Sequence, residues 1–181
     1  DYPGEVYYNT ASTVGALQFW QNLIYRDNVM PSGVLNSKQI SAAFFSGKLG
    51  MTMLSTGALG FMRENTKDFE LGVAMMPQKV RNGVSIGGAS LVSFKGITDD
   101  QKKAAYTFLQ YLVSPKVNGA WSRFTGYFSP RIASYDLPEM KDYLAKDPRA
   151  EIALQQLKYA YPWYSTYETV AVRQAMENQL G

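Results

Sequence analysis

The run LGMTML at positions 49–54 passes without a break into Ser55-Thr56-Gly57, and then into ALGFMREN at 58–65. A short apolar stretch that ends on two hydroxyls and a glycine, and continues with helical spacing, predicts a buried strand turning directly into a helix. That restricts the fold, because strands that feed helices belong to α/β arrangements. The alternation continues up to about residue 94, and a helical tail follows. FELGVAMM at 69–76 reads as a second apolar strand, and VSIGGASLVSF at 84–94 as two β-like runs around paired glycines.

Helical periodicity fills the remainder. Residues 12–25 place Val14, Leu17, Trp20 and Ile24 on one face, with Ser12 or Thr13 as the cap. Asn36 or Ser37 caps a second helix whose inner face is Ile40, Ala43, Phe44 and Phe45, and Gly47 stops it. Asp99 or Asp100 caps a third, with Ala104, Ala105, Phe108, Leu109, Leu112 and Val113 on its apolar face. Ser114-Pro115 opens another that Gly126 closes. Three more are expected at 138–145, at 148–159 behind a capping Asp147, and at 166–180, where Ser165 and Glu168 have capping-box spacing. The expected class is α/β, as one domain or parts of two.

Composition removes much chemistry. With 181 residues, 46% of them hydrophobic, the chain can bury a core. It has no histidine and no cysteine, which excludes histidine bases, cysteine nucleophiles, redox pairs and zinc sites built on either residue. No phosphate-loop or dinucleotide glycine motif is present, and no pair of carboxylates stands out. No catalytic residue, metal or cofactor is therefore expected. The net charge of +3 is spread without a Lys/Arg run, so nucleic acid is not an expected partner. No stretch is long and apolar enough for a membrane-spanning helix. Asp1-Tyr-Pro-Gly at the start has neither methionine nor leader, and the chain ends within a helical run, so both ends are expected to be cut.

Four residues stand out as binding candidates, each beside a plain structural reading. Ser55 lies where a strand gives way to a helix, a place where backbone N–H groups and the helix dipole favour an anion; it can equally cap its own helix. Gly88, in Gly87-Gly88-Ala89-Ser90, lets a ligand reach the backbone or marks a bulge. Tyr127 in TGYFSPR is held between a helix-ending glycine and a Ser-Pro turn, and offers a ring face and a hydroxyl; the chain has 13 tyrosines, and packing serves as well. Arg173 sits among Val170, Ala171, Val172 and Ala175, where a guanidinium needs a partner, either a ligand anion or a structural carboxylate. The aromatic group Tyr159, Tyr161, Trp163, Tyr164 and Tyr167 suits stacking on sugars or a wall between helices.

Five stretches, taken in order, resemble the C-terminal part of extracellular solute-binding proteins (family 1) that serve ABC sugar importers, in particular the glycerol-3-phosphate-binding members. They are AAFFSGKLGMTMLSTGALGFM at 42–62, LGVAMMP at 71–77, IGGASLVSFKG at 86–96, WSRFTGYFSP at 121–130 and AVRQAME at 171–177. The resemblance implies a type II periplasmic binding protein fold: two α/β lobes and a hinge that closes on a ligand. Residues 1–78 would form the first part of the C-terminal lobe, 79–124 an excursion into an incomplete N-terminal lobe, and 125–181 the return. Family members are about twice as long, so an N-terminal half of the same protein is an expected partner, with a small polar solute and ABC permease subunits. A bacterial protein in the periplasm or outside the cell is implied.

By the same resemblance Ser55 is a hydroxyl donor to the ligand, Gly88 a backbone contact, Tyr127 the aromatic that closes on it and Arg173 its cationic contact. The sequence departs from the glycerol-phosphate pattern at Val92, where tryptophan is frequent, and at Phe128-Ser129, where Leu/Val-Pro is usual. These departures leave open which solute is bound. A fragment of a carbohydrate-active enzyme and a stand-alone interaction module are the alternative readings.

Overall fold

The computed structural model describes residues 8–163 and 168–180, arranged in two compact units: Asp1–Asn36 with Tyr164–Gly181, and Ser37–Trp163. In the first unit, helix α1 spans Ala11–Gln21 and continues as a wider π turn over Asn22–Arg26. Its cap is Thr10, whose side chain accepts from the Thr13 N–H, two or three residues ahead of the expected Ser12 or Thr13. No residue of α1 is buried, so the predicted apolar face lies open. Helix α8, Thr169–Leu180, completes the unit. The expected capping box falls partly outside the described residues, at Ser165.

The second unit begins with α2, Ser37–Phe45, which buries Ser41 and Phe44. Gly47, at φ 70°, ends it as predicted: the N–H of Lys48 reaches the Ala43 carbonyl and that of Gly47 the Phe44 carbonyl. Only a left-handed residue closes a helix this way. The anticipated strand at 49–54 has no ladder among the described residues. It leads into a 3-10 turn, Thr56–Ala58, and then α3, Leu59–Asn65.

The second expected strand, at 69–76, also lacks a ladder. Its polar groups turn to side chains instead: the Leu71 carbonyl accepts from Arg149 (3.3 Å), the Met76 N–H donates to Gln156 (2.6 Å), and Phe69 meets Phe44 edge-on at 5.2 Å. Apolar composition alone does not make a strand without a neighbour to pair with.

The described residues contain one sheet, a parallel pair of β1, Val84–Ile86, and β2, Ala160–Pro162. The β-like run at 84–94 is thus a strand only in its first three residues. The second strand was not expected, because it hides within the aromatic stretch.

Between them lie α4, Asp99–Leu112; α5, Pro115–Thr125; α6, Pro138–Lys146; and α7, Glu151–Gln156, which is flanked by 3-10 turns. Thr98 caps α4 in a full capping box with Gln101. The expected caps Asp99 and Asp100 occupy the first turn instead, where carboxylates favour the helix dipole. Pro115 and Gly126 bound α5 as read.

Two interactions organise this unit. The first is close approach: a Cβ on Gly60 would collide with the Phe124 carbonyl, and one on Gly126 with Leu59 and, at 2.9 Å, the Thr56 carbonyl. The start of α3 is thereby pressed against the end of α5. The second is a polar bracket. Arg63 donates to Asp147 (2.7 Å), the Tyr143 hydroxyl (3.0 Å) and the Arg123 carbonyl (3.1 Å), while Arg149 holds the other Asp147 oxygen at 2.5 Å. The Asp147 side chain, 9% exposed, serves these arginines and does not cap the following turn. Met140, fully buried, lies in the apolar core nearby.

Burial by itself would raise the Asp147 pKa, but hydrogen bonds from Arg149 and Arg63 outweigh it and hold the carboxyl below its ordinary 3.8. A depressed folded-state value means that the bracket is fully stabilising above the unfolded pKa and weakens as pH falls through the folded one. Asp147→Asn is expected to lower the unfolding free energy at neutral pH by about 2 kcal/mol, measured with urea. The same variant should lose less stability than the parent on acidification below about pH 4. Gly126→Ala combines a φ of 95° with backbone overlap, and should cost about 2 kcal/mol in the same assay.

Candidate functional site

Local sequence builds the site from two turns. In the first, Ser55 stands in extended backbone and its hydroxyl accepts from the Gly57 N–H at 3.3 Å, so the capping role weighed for Ser55 is realised. In the second, Gly126 turns the chain out of α5, and the clamping then falls on Tyr127. Its N–H donates to the Thr125 hydroxyl (3.1 Å), and its carbonyl accepts from the Ser122 hydroxyl (2.5 Å).

The turn is secured further along. The Ser129 hydroxyl donates to Asn118 (2.6 Å) and accepts from the Arg131 N–H (3.2 Å), while the Ser129 N–H donates to the Tyr135 hydroxyl (2.8 Å). Burial raises the Tyr135 pKa, as expected for a neutral phenol held inside by hydrogen bonds.

The two turns meet. The ring of Tyr127 occupies the space that a Cβ on Gly57 would need, while 46% of the residue stays exposed. The structure therefore brings Tyr127 against the Ser55-Thr56-Gly57 turn, with its backbone fixed and its ring accessible. This arrangement offers a part-exposed tyrosine beside a turn that carries a serine hydroxyl, groups suited to a small polyol or ester.

Gly88 lies two residues beyond β1, exposed, with open space where a side chain would stand. Its surroundings in register are the end of β2 and Trp163, whose N–H donates to the Ile86 carbonyl at 3.2 Å. Arg173 belongs to the other unit. Its side chain, 65% exposed on α8, pairs with Glu177 at 3.3 Å, the structural salt bridge weighed for it.

Of the aromatic group, Tyr161 and Trp163 are exposed, with the Arg81 guanidinium 5.9 Å from the Tyr161 ring centre, and Tyr164 and Tyr167 lie outside the described residues. Sequence reading missed an open groove of about 420 Å³ lined by Phe45, Leu54, Ala58 and Phe61, which flanks the Ser55 turn. It also missed the Arg63–Asp147–Arg149 bracket, for which no local pattern exists. Among the described residues no acidic cluster could hold a metal ion, and no helix is long and apolar enough to cross a membrane.

Comparison with known proteins places this geometry in context. The sn-glycerol-3-phosphate-binding periplasmic protein UgpB of Yersinia pestis is 33% identical over 122 residues, which are 65% of this chain and 28% of that protein. UgpB of Pectobacterium atrosepticum is 35% identical over 120 residues, or 63% of this chain and 27% of the relative. The crystal structure of UgpB from Mycobacterium tuberculosis in complex with glycerophosphocholine superposes with a TM-score of 0.82 at 26% identity, covering 94% of this chain and 42% of that one. The chain thus spans just over a quarter of the length of the curated relatives.

Its fold is the corresponding part of a type II periplasmic binding protein, α/β in class and dominated here by helices. The family model described as bacterial extracellular solute-binding protein matches residues 2–149. The chain belongs to the bacterial extracellular solute-binding protein family.

Proposed function

We propose that this chain is part of the substrate-binding component of a bacterial ABC importer. It captures a small polar solute of the glycerol 3-phosphate, glycerophosphodiester or sugar class in an interlobe cleft and delivers it to the permease. The relatives are named as periplasmic binding proteins, which supports a place in the periplasm or at the outer face of the cell envelope. They are solute-binding proteins, and the proposed role is capture without turnover.

The observation that carries this reading is the juxtaposition of Tyr127 with the Ser55 turn, two positions picked out from a family likeness and far apart in sequence. In the proposed site Tyr127 supplies a stacking face, Ser55 a hydroxyl and Gly88 a backbone contact. Arg173 supplies charge-assisted hydrogen bonds to phosphate or hydroxyls, and must leave or share Glu177 to do so. The lobe assignment belongs to the same proposal: 1–78 and 125–181 in the C-terminal lobe, 79–124 in the N-terminal lobe, with an N-terminal half completing the cleft.

Isothermal calorimetry on the complete protein, with glycerol 3-phosphate and glycerophosphocholine as ligands, tests the assignment. Tyr127→Ala is expected to weaken binding about tenfold. Arg173→Ala should weaken phosphate-bearing ligands by about tenfold or more while leaving a neutral sugar less affected. Unchanged affinity in both variants would remove these residues from the site.

A further inference from the structure

Gly57, Gly60 and Arg63 recur at intervals of three from the 3-10 turn into α3, and each meets the same neighbouring stretch of chain. Gly57 lies against the Tyr127 ring, Gly60 against the Phe124 and Thr125 carbonyls, and Arg63 donates to the Arg123 carbonyl at 3.1 Å. Two of these contacts are close approaches at a glycine, which set distance but not direction. The third is a directional hydrogen bond.

The carbonyl it reaches belongs to the last turn of α5, where the helix offers no N–H partner of its own. The N–H of Gly126 satisfies the Ser122 carbonyl, and the next carbonyl along is left to the guanidinium. A cation at that end also complements the helix dipole. Asp147 and Tyr143 hold another nitrogen of Arg63, and Arg149 holds Asp147, so the orientation of the fork is set from outside α3.

We infer that Arg63 is a positioning residue for Tyr127: by bridging α3 to the C-terminal end of α5, it fixes the register in which the tyrosine ring rests on Gly57. Its bearing on ligand rests on the function proposed above. A lysine at 63 would keep the charge opposite Asp147, but a single ammonium cannot reproduce the planar fork that joins Asp147, Tyr143 and the Arg123 carbonyl. Arg63→Lys thus separates register from simple charge pairing.

The experiment places 3-fluorotyrosine at position 127 of the complete protein and reads its fluorine resonance, together with glycerol 3-phosphate affinity. Arg63→Lys is compared with Phe44→Leu, a variant in the α2 core whose ring meets Phe45 and Phe69, at temperatures of equal folded fraction. Arg63→Lys is expected to shift the resonance and weaken binding about tenfold, while Phe44→Leu does neither. Asp147→Asn, which frees one side of the fork, should shift the resonance in the same direction and serves if Arg63→Lys does not fold.

An unmoved resonance in Arg63→Lys overturns the inference, as does an equal shift in Phe44→Leu. So does intact affinity in Arg63→Lys when Tyr127→Ala binds weakly. If Arg63→Lys shifts the resonance but neither it nor Tyr127→Ala changes affinity, the positioning role stands and the ligand role of Tyr127 falls.

Discussion

The close approach of α3 to the end of α5 depends on atoms that are missing. Gly57, Gly60 and Gly126 each leave vacant the volume of a Cβ, and a ring, a carbonyl or a neighbouring side chain fills it. Dispersion contacts are weak one by one, but they fall off steeply with distance, so surfaces that meet at backbone separation gain many at once. The cost is specificity of residue type. At Gly126 both the left-handed backbone and the neighbouring Leu59 forbid a side chain, so the turn that carries Tyr127 is constrained from within and from outside.

Polar chemistry completes what the glycines begin. The segment 69–76 has no ladder partner among the described residues, yet its groups at Leu71 and Met76 find donors and acceptors on Arg149 and Gln156. The same arginine steadies Asp147, which steadies Arg63, so one half-buried network ties an extended stretch to three helices. Such a network is stable only while every member is satisfied, because a lone charge left in that environment would cost more than the pair contributes.

Helix ends that depend on their own residues were legible: Gly47, Pro115 and Gly126 mark boundaries because the needed backbone angles belong to the residue itself. Features that depend on a distant partner were not. The runs at 49–54 and 69–76 have strand composition, but pairing is a property of two segments. β2 was concealed by tyrosines and a proline that read as a wall between helices or a surface for stacking on sugars. Asp147 reads as a cap in sequence and is claimed by arginines on α3 and just beyond itself. Thr98 beat Asp99 and Asp100 to the cap of α4 because Gln101 could reciprocate. The candidate site shows the same division. Tyr127 and Ser55 each carry a structural reading locally beside the binding one, and the order of motifs is what joins them in one site reading.

The strand pair β1–β2 is three residues long, and its partners lie on opposite sides of α4 through α7. Closing so large a loop for so few hydrogen bonds is unfavourable until the intervening helices have already condensed. The pairing therefore follows collapse and does not guide it. In the reverse direction so short a ladder has few hydrogen bonds to hold it closed. The exposed Gly87-Gly88 segment follows directly on this short ladder, so its place beside Trp163 holds only while the three-residue pairing holds.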